Sequence, residues 1–295
     1  MTVADAIRII GELESRNNLT EEEEFEYTEA LGFIIAETAD PRYMMSLGGY
    51  YYGQRNFELA LKYYDMAAAL DYEEANECLG YVWYYGRTGT KDYEKAFKYF
   101  SAAAVKGNLV AKYKIADMYK NGYFVDRDYE KYKEIIRELY PEVEDAEYLG
   151  DPLPEIFTRL AAIEAEEGNT DEAVDLYFRA KDFLAQRIMY NPFFGNMNIM
   201  KWLIEDLYKL IEPDPSEMDL FDLYYWLTKP CRISFRADRK KHEVSCVEEN
   251  GEFVINFEGQ WYRNVDDFFK KAAIGDELLT DKLMQLDDFV LVERG

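Results

Sequence analysis

Apolar residues recur at three- and four-residue steps as far as residue 229, which is the pattern of amphipathic helices. Residues 2–16 are an example, with Ile9, Ile10 and Leu13 on one side of the predicted helix. After Pro230 the step changes to two residues, which is typical of half-buried strands. The pattern therefore predicts a long helical part followed by a small part that contains strands.

A second helix is predicted from Thr20, which forms a capping box with Glu23, to about residue 38. The acidic run Glu21–Glu24 then complements the positive end of the helix macrodipole. Three helix pairs follow, and we place them at about 41–53 and 56–70, 73–86 and 92–106, and 108–121 and 128–140.

The helix pairs are related by an internal repeat. Asp92–Lys95 recurs as Asp128–Lys131, which is 36 residues later, and Gly86 recurs at the same step as Gly122. Each aspartate stands where a helix begins and can accept a hydrogen bond from an unpaired N–H. Each glycine stands where a helix ends and a left-handed residue is often needed. A fixed period in this range is typical of stacked units that share one core.

The motifs of the second pair are Leu79-Gly80-x-x-Trp83-x-x-Gly86, Asp92-x-x-Lys95-Ala96 and Ala103-Ala104-x-x-Gly107-x-x-x-Ala111. They resemble the Sel1-like repeat, a family of α-helical hairpins closely related to tetratricopeptide repeats. The third pair departs from the pattern at Tyr132, where the family has alanine, and the first pair is shorter and more tetratricopeptide-like. The resemblance implies a mainly α fold, an α-α superhelix whose first helices line a concave surface.

The periodicity is interrupted between Pro141 and Pro154. A further tetratricopeptide-like hairpin is predicted over 154–189, and helices within 196–228, at about 197–211 and 217–228, are predicted to cap the array. We therefore expect a helical repeat domain over 1–229, with its clearest repeats at 41–140.

The remaining residues, 230–295, are predicted to form a small α+β domain. Strands are expected at 231–237, 242–248 and 252–257, and Asn250-Gly251 is a strong signal for a hairpin between the last two. Asn264 is expected to cap a short helix at about 265–273. A second short helix and a closing strand at 289–292 complete the domain.

The charge of the chain limits its partners. It has 295 residues, of which 34 are basic and 59 acidic, for a formal net charge of −25. A field this negative repels phosphate backbones and anionic membrane surfaces, so nucleic acid and membranes are not expected as partners. It favours protein partners or peptides with basic character.

The chemistry-bearing residues predict neither an enzyme nor a metal site. Cys78, Cys231 and Cys246 are far apart and form no CxxC pair, so we expect free thiols and no metal. The first residues lack the features of a signal peptide, and a cytoplasmic protein is expected. His242 stands in no catalytic motif and is expected to be a solvated hairpin residue. No catalytic residue and no cofactor are predicted.

Two candidate interaction sites remain. The first consists of Tyr51, Tyr52, Tyr84 and Tyr85, which end successive first helices of the repeats and could line a groove for a partner segment. Adjacent residues of a helix cannot all face one core, so some of these tyrosines are expected on the surface. For at least half of the four, the alternative is packing between repeats. The second is the basic patch Arg236, Arg239, Lys240 and Lys241, which could anchor an anion or an acidic partner; its alternative is a solvated turn.

These features together predict a non-catalytic protein–protein interaction scaffold that binds a partner peptide or a basic domain on its concave surface. Two alternatives stay open. The chain could be an acidic regulatory or immunity-type protein that inhibits a nucleic-acid-binding enzyme with phosphate-like carboxylates. It could also carry a small-ligand or enzymatic module in its C-terminal domain, which a pocket lined by convergent polar groups would favour.

Overall fold

The computed structural model describes residues 1–16, 19–144, 153–190 and 194–294. By their backbone contacts the residues divide into two compact units, Met1–Leu139 and Tyr140–Gly295, which we describe separately. The expected boundary between a repeat domain and an α+β domain at residue 230 falls inside the second unit, and it remains a prediction.

The first unit is a series of eight helices in its described residues. Each helix packs against the next one along the chain, and α5 also contacts α7. The helices are α1 (Val3–Glu14), α2 (Glu21–Thr38), α3 (Pro41–Gly53), α4 (Phe57–Ala69), α5 (Glu73–Tyr84), α6 (Tyr93–Val105), α7 (Leu109–Asn121) and α8 (Tyr129–Leu139). The three predicted helix pairs are therefore confirmed as α3–α4, α5–α6 and α7–α8.

Local capping explains where these helices begin and end. Thr20 and Glu23 form the predicted capping box at the start of α2. Asp92 and Asp128 accept from the backbone N–H groups three residues on, at 3.0 Å and 2.9 Å. Gly122 ends α7 in the left-handed conformation, with φ of 68°. The repeated aspartates and glycine thus have structural roles.

The acidic run at the start of α2 makes local structural contacts. Glu23 closes the capping box, and Glu24 accepts a hydrogen bond at 3.0 Å from the hydroxyl of Tyr50 on α3. The carboxylates of the run also stand in the first turn, where the helix macrodipole favours negative charge. This supports the structural interpretation of Glu21–Glu24.

Two glycines allow the paired helices of the first unit to approach closely. A β-carbon placed on Gly48 of α3 would lie 2.6 Å from the ring of Tyr64 on α4. A β-carbon on Gly80 of α5 would lie 2.5 Å from the ring of Phe100 on α6. Tyr64 and Phe100 are both buried, so the aromatic ring of each second helix occupies the space that the glycine leaves.

The second unit begins with helices and ends with an antiparallel sheet. Its helices are α9 (Leu153–Glu167), α10 (Thr170–Tyr190), α11 (Phe194–Leu210), α12 (Leu223–Trp226) and α13 (Val265–Lys271). The hairpin expected over 154–189 is observed as α9 and α10. The helix expected at 217–228 is shorter, because only Leu223–Trp226 is α-helical and the residues before it form turns. The interruption before Pro154 and the loop before α11 fall largely on 145–152 and 191–193, outside the described residues.

The strands of the second unit are β1 (Cys231–Ala237), β2 (Lys240–Glu249), β3 (Glu252–Phe257), β4 (Gln260–Tyr262), β5 (Ala273–Ile274), β6 (Glu277–Leu278) and β7 (Leu286–Arg294). The five longer ones form a sheet in the order β4-β3-β2-β1-β7, and β5 pairs with β6. Asn250 and Gly251 have φ of 54° and 81° at the predicted hairpin. The sequence did not predict β4, β5 or β6, which are two or three residues long. The second short helix is a 3₁₀ turn at Leu283–Gln285.

One face of the sheet is buried under helices of the same unit. Phe257 on β3 and Tyr262 on β4 contact Phe268 of α13 edge-on, with ring centroids 5.9 Å and 5.5 Å apart. Next to α12, the thiols of Cys231 and Cys246 donate to backbone carbonyls at 3.2 Å and 3.4 Å. Burial raises the pKa of these thiols to about 12 and about 11, which keeps them protonated at neutral pH.

A buried ion-pair network joins the helices of the second unit. Lys181 of α10 contacts Asp222 at 2.7 Å and Asp219 at 2.9 Å, and Tyr208 of α11 donates to Asp222 at 2.6 Å. The Asp222 side chain is 2 % exposed. Burial and the neighbouring carboxylate of Asp219 raise the pKa of Asp222, although Lys181 opposes the shift. The lysine is therefore the group that makes a buried aspartate tolerable here.

The close approach of α3 and α4 gives a prediction with an adjacent control. We expect Gly48→Ala to lower the free energy of unfolding by about 1–3 kcal/mol, because the new methyl group overlaps the buried ring of Tyr64. At the next residue, the new methyl group of Gly49→Ala meets nothing within 4 Å. This variant should raise the free energy of unfolding by about 0.5–1 kcal/mol, because alanine loses less backbone freedom than glycine in a helix. Urea unfolding of both variants measures the difference. Equal effects would show that the ring does not set the helix separation.

The buried network gives a second prediction. Lys181→Met should lower the free energy of unfolding by about 3–5 kcal/mol, because it leaves the Asp222 carboxylate buried without its cation. The loss should shrink as the pH falls, since the raised pKa of Asp222 lets that carboxyl become neutral in the folded state. Lys209→Met removes the exposed Lys209–Asp206 pair and should cost less than about 1 kcal/mol. Equal losses in the two variants would contradict the buried-pair interpretation.

Candidate interaction surface

The tyrosines at the ends of α3 and α5 separate into two groups. Tyr51 stacks on Tyr63 of α4, with ring centroids 5.8 Å apart and planes 10° apart, and it packs against the core of α1–α4. Its neighbour Tyr50 lies edge-on to Tyr51 at 5.5 Å. Tyr51 is therefore half-buried between helices, which is the packing arrangement considered as the alternative to a groove.

Tyr84 and Tyr85 belong to a cluster of four tyrosines around one lysine, which we call the tyrosine cage. The ammonium nitrogen of Lys114, on α7, lies 5.0–5.4 Å from four ring centroids, those of Tyr81, Tyr84, Tyr85 and Tyr113. Lys114 is 6 % exposed and donates to the hydroxyl of Tyr85 at 3.1 Å. Aromatic faces attract a cation, and the attraction increases when water is excluded. The four rings therefore help to stabilise the buried ammonium group of Lys114.

The cage follows from helical spacing and from the stacking of first helices. Tyr81 and Tyr85 are four residues apart along α5 and its C-terminal cap, and their rings stack at 5.8 Å with 9° between planes. Tyr113 and Lys114 come from α7, and the hydroxyls of Tyr81 and Tyr113 are 3.0 Å apart. The contact between α5 and α7 thus brings together residues from two successive repeats.

Tyr84 lies deeper than its neighbour. Its ring makes edge contacts with Tyr93 at 5.7 Å, with Phe100 at 6.1 Å and with Tyr123 at 6.0 Å. Burial is the main cause that raises the pKa of Tyr84. Tyr84 is consequently part of the support of the cage, and Tyr85 is its accessible member, with 42 % of its surface exposed.

Arg87 joins Tyr52 to this cluster. Its Nε donates to the hydroxyl of Tyr52 at 3.0 Å, and its guanidinium carbon lies 5.9 Å from that ring and 5.2 Å from the ring of Tyr85. Within the described residues the Nη groups of Arg87 have no hydrogen-bond partner. We call the exposed pair Tyr85 and Arg87 the cage rim.

The cage rim has the composition of a protein-binding site. Tyrosine and arginine are enriched among the residues that dominate binding energy. Tyr85 is already held by Tyr81 and Lys114, so little side-chain freedom remains to be lost on binding. The free Nη groups of Arg87 can donate to a carbonyl or carboxylate of a partner.

Of the four predicted tyrosines, Tyr84 and Tyr85 thus lie in the cage, and Arg87 connects Tyr52 to it. Tyr51 and Tyr52 also pack against one core cluster of the first unit. Sequence reasoning missed Tyr81, Arg87, Tyr113 and Lys114. The four-residue spacing of Tyr81 and Tyr85 was a usable signal. The partnership with Tyr113 was not, because it depends on how the repeats stack.

Charge is unevenly distributed along the first unit. Residues 1–80 contain 17 acidic and 5 basic residues, whereas residues 81–139 contain 8 acidic and 12 basic ones. The negative field of this unit therefore arises in α1–α4 and the first part of α5. The cage rim lies at the transition, with Arg87 as its exposed charge.

The basic patch of the second unit is divided by the sheet. Arg236 and Lys241 are cross-strand partners on one face, and Arg236 is paired with Asp288 at 3.4 Å. Lys240 is opposite the buried Ala237, and Arg239 lies in the turn with φ of 64°. The four residues are close in the hairpin but do not present one continuous cationic surface. Their role as an anion anchor remains a prediction.

His242 is not the solvated residue that its sequence neighbours suggested. It is 7 % exposed, because β2 turns this side chain to the buried face, where its ring lies 5.7 Å from that of Phe235. Its Nδ1 is 2.9 Å from a carboxylate oxygen of Glu258, and its Nε2 has no partner among the described residues. Arg239, Lys240 and Lys241 misled the interpretation, since alternation along the strand buries the next side chain.

The described residues contain neither a candidate metal site nor a helix that could span a membrane. No cluster of three or more His, Cys, Asp or Glu side chains there could hold a metal ion. None of the helices described is both long enough and apolar enough to cross a membrane.

Comparison with known proteins agrees with the helix pairs. The family model of the Sel1 repeat matches residues 41–72, 78–108 and 109–131. The fold is similar to the crystal structure of a Sel1 repeat protein from Oxalobacter formigenes, with a TM-score of 0.52 and 22 % identity over 68 % of this chain and 76 % of that one. No curated protein sequence matches the chain.

A second crystal structure, of a protective antigen present in uropathogenic Escherichia coli strains and displaying an SLR fold, is less similar. Its TM-score is 0.36 and its identity 19 %, over 63 % of this chain and 45 % of that one. The three matched repeats coincide with α3–α4, α5–α6 and α7 with the start of α8. Residues 41–131 therefore contain three Sel1-like repeats.

Proposed function

We propose that this protein is a non-catalytic scaffold that binds a segment of a partner protein at the cage rim. Sel1 repeat proteins are generally protein-interaction scaffolds, and the family is typically non-enzymatic. The observation that carries the proposal is the exposed ring of Tyr85, fixed on a buried cage by Tyr81 and Lys114. In related repeats the first helices line the concave surface, and α5 and α7 are first helices.

The energetic argument concerns preorganisation. A free tyrosine loses rotamer freedom when a partner covers it, whereas Tyr85 is already restricted by a stacked ring and a hydrogen bond. Covering its exposed surface would then bury apolar area at a low entropic cost. Arg87, whose Nη groups are unpaired among the described residues, would add a directional contact beside it.

Two regions favour different chemistry in the partner. Residues 1–80 carry most of the negative charge of the first unit, which supports the expectation of a partner with basic character. At the cage rim the exposed charge is positive, so the group that meets Arg87 should be a carbonyl or a carboxylate. We therefore propose that the partner segment has basic residues, which contact α1–α4, and a hydrogen-bond acceptor, which contacts Arg87.

A substitution at the rim tests the site. We expect Tyr85→Ala to weaken binding of a partner by about 2 kcal/mol or more, because it removes the preorganised anchor. Trp261→Ala is the matched control, since Trp261 is 56 % exposed on β4 of the second unit and belongs neither to the cage nor to α1–α4. Affinity purification from the native cell identifies the partner, and titration with the purified partner measures the affinity. Binding that survives Tyr85→Ala unchanged would refute the site.

Ionic strength tests the role of charge. If the acidic helices steer a basic partner, the association rate should fall as salt is raised, because screening shortens the range of the field. The dissociation rate should change much less. Stopped-flow mixing at several salt concentrations measures both rates. An association rate that does not depend on salt would exclude steering, while leaving the contact at Tyr85 to be judged by its own variant.

A further inference from the structure

The second unit contains a pocket of about 330 Å³ beside the stacked pair Tyr224 and Phe269. Its walls come from the start of α11, from α12 and α13, and from the turn after β6. This volume is near the lower end of the range for small-molecule sites in proteins. The pocket is formed by residues of the second unit, and the proposed partner binding does not use it.

The apolar part of the pocket lining includes two aromatic rings. The rings of Tyr224 and Phe269 stack with centroids 4.1 Å apart and planes 17° apart, and both residues are buried. Met197 and Leu278 complete this part of the lining, and Leu278 stands at the rim with 36 % of its surface exposed. A lining of this kind suits a planar ligand of modest size.

One buried polar group in the pocket has no partner. Thr280 is 8 % exposed and lines the pocket, yet within the described residues its hydroxyl makes no hydrogen bond. The hydroxyl oxygen is accessible from the pocket, so a group that enters the pocket can reach it. The side-chain amide of Asn198, on α11, also lacks a protein partner in the described part of the chain. Both groups are available to a ligand.

The charges of the pocket differ in whether they are already compensated. Asp266 receives the ammonium of Lys201, with both carboxylate oxygens at 2.9 Å, and Lys270 also interacts within the protein. Asp281 is exposed at the pocket lining and has no ion-pair partner among the described residues. The uncompensated charge at the pocket is therefore negative, so a cation is favoured over an anion.

We propose that this pocket binds a small aromatic amine. Its ring would lie against Tyr224 and Phe269, its ammonium group would approach Asp281, and a polar substituent would reach Thr280 or Asn198. Such a ligand satisfies the orphaned hydroxyl and the uncompensated carboxylate together. An anionic ligand of the same shape would compete only for lysines that are already engaged.

Three probes of similar size separate these contributions. Tyramine has the aromatic ring, a phenolic hydroxyl and the ammonium group, 4-ethylphenol lacks the ammonium, and 4-hydroxyphenylacetate replaces it with a carboxylate. Calorimetry on the full chain should show tyramine binding about ten-fold more tightly than 4-ethylphenol, with the carboxylate weakest. The methyl resonance of Met197, read in methionine-labelled protein, should shift with tyramine and so place it in the pocket.

Variants test the assigned contacts. Asp281→Asn should weaken tyramine binding about ten-fold, because one charged contact is lost. Asp276→Asn, a nearby exposed aspartate outside the pocket, should leave it unchanged. Thr280→Val should weaken binding several-fold without lowering the melting temperature, since the hydroxyl it removes has no partner in the free protein. Leu278→Trp should abolish binding by filling the entrance.

Three results would each overturn the proposal. One is the absence of tyramine binding at millimolar concentrations. Another is equal affinity for tyramine and 4-hydroxyphenylacetate, which would mean that Asp281 does not select charge. The third is tyramine binding that persists in Leu278→Trp without a shift at Met197, which would place the ligand elsewhere on this acidic chain.

Discussion

In each of the first two matched repeats, an aromatic ring on the second helix occupies the place where the first helix lacks a side chain. Tyr64 lies against Gly48 and Phe100 against Gly80, at distances that leave no room for a methyl group. Because protein interiors are close-packed, this contact sets how near the paired helices come. The position of each first helix, and of every residue it presents, depends on that separation.

The tyrosine cage is a consequence of the same spacing. Phe100 lies against Gly80 and also makes edge contacts with the rings of Tyr81 and Tyr84, with centroids 5.7 Å and 6.1 Å apart. The ring that allows α5 and α6 to pack thus also supports the aromatic residues that surround Lys114. A stable stack and a candidate binding surface are built from one set of contacts. Tyrosine suits both roles, because it has an apolar ring for packing and a hydroxyl that can remain near water.

The second unit contains several polar side chains that are buried away from water. Lys181 compensates Asp222, and Tyr208 and the backbone of Asp219 use further lone pairs of the same carboxylate. Within the described residues His242 is hydrogen-bonded at Nδ1, to Glu258, and not at Nε2. At the pocket beside Tyr224, the hydroxyl of Thr280 and the exposed carboxylate of Asp281 likewise have no protein partner in this part of the chain.

The sequence by itself determined the helix pairs, their caps and the change to strands after Pro230, because those features depend on residues a few positions apart. Asp92, Asp128 and Gly122 act within one turn of a helix, and Asn250-Gly251 acts within one hairpin. The resemblance to the Sel1 repeat rested on the same local motifs.

The tertiary structure alone decided which aromatic residues are exposed and which cations are buried. Tyr81 and Tyr113 are 32 residues apart, and no local pattern specifies that their hydroxyls meet. Nothing in the local sequence marks Lys114, yet the rings of two helices enclose it. His242 was expected in solvent and lies in the core of the sheet. Burial is a property of the neighbours that the fold supplies, and a single segment of sequence does not contain them.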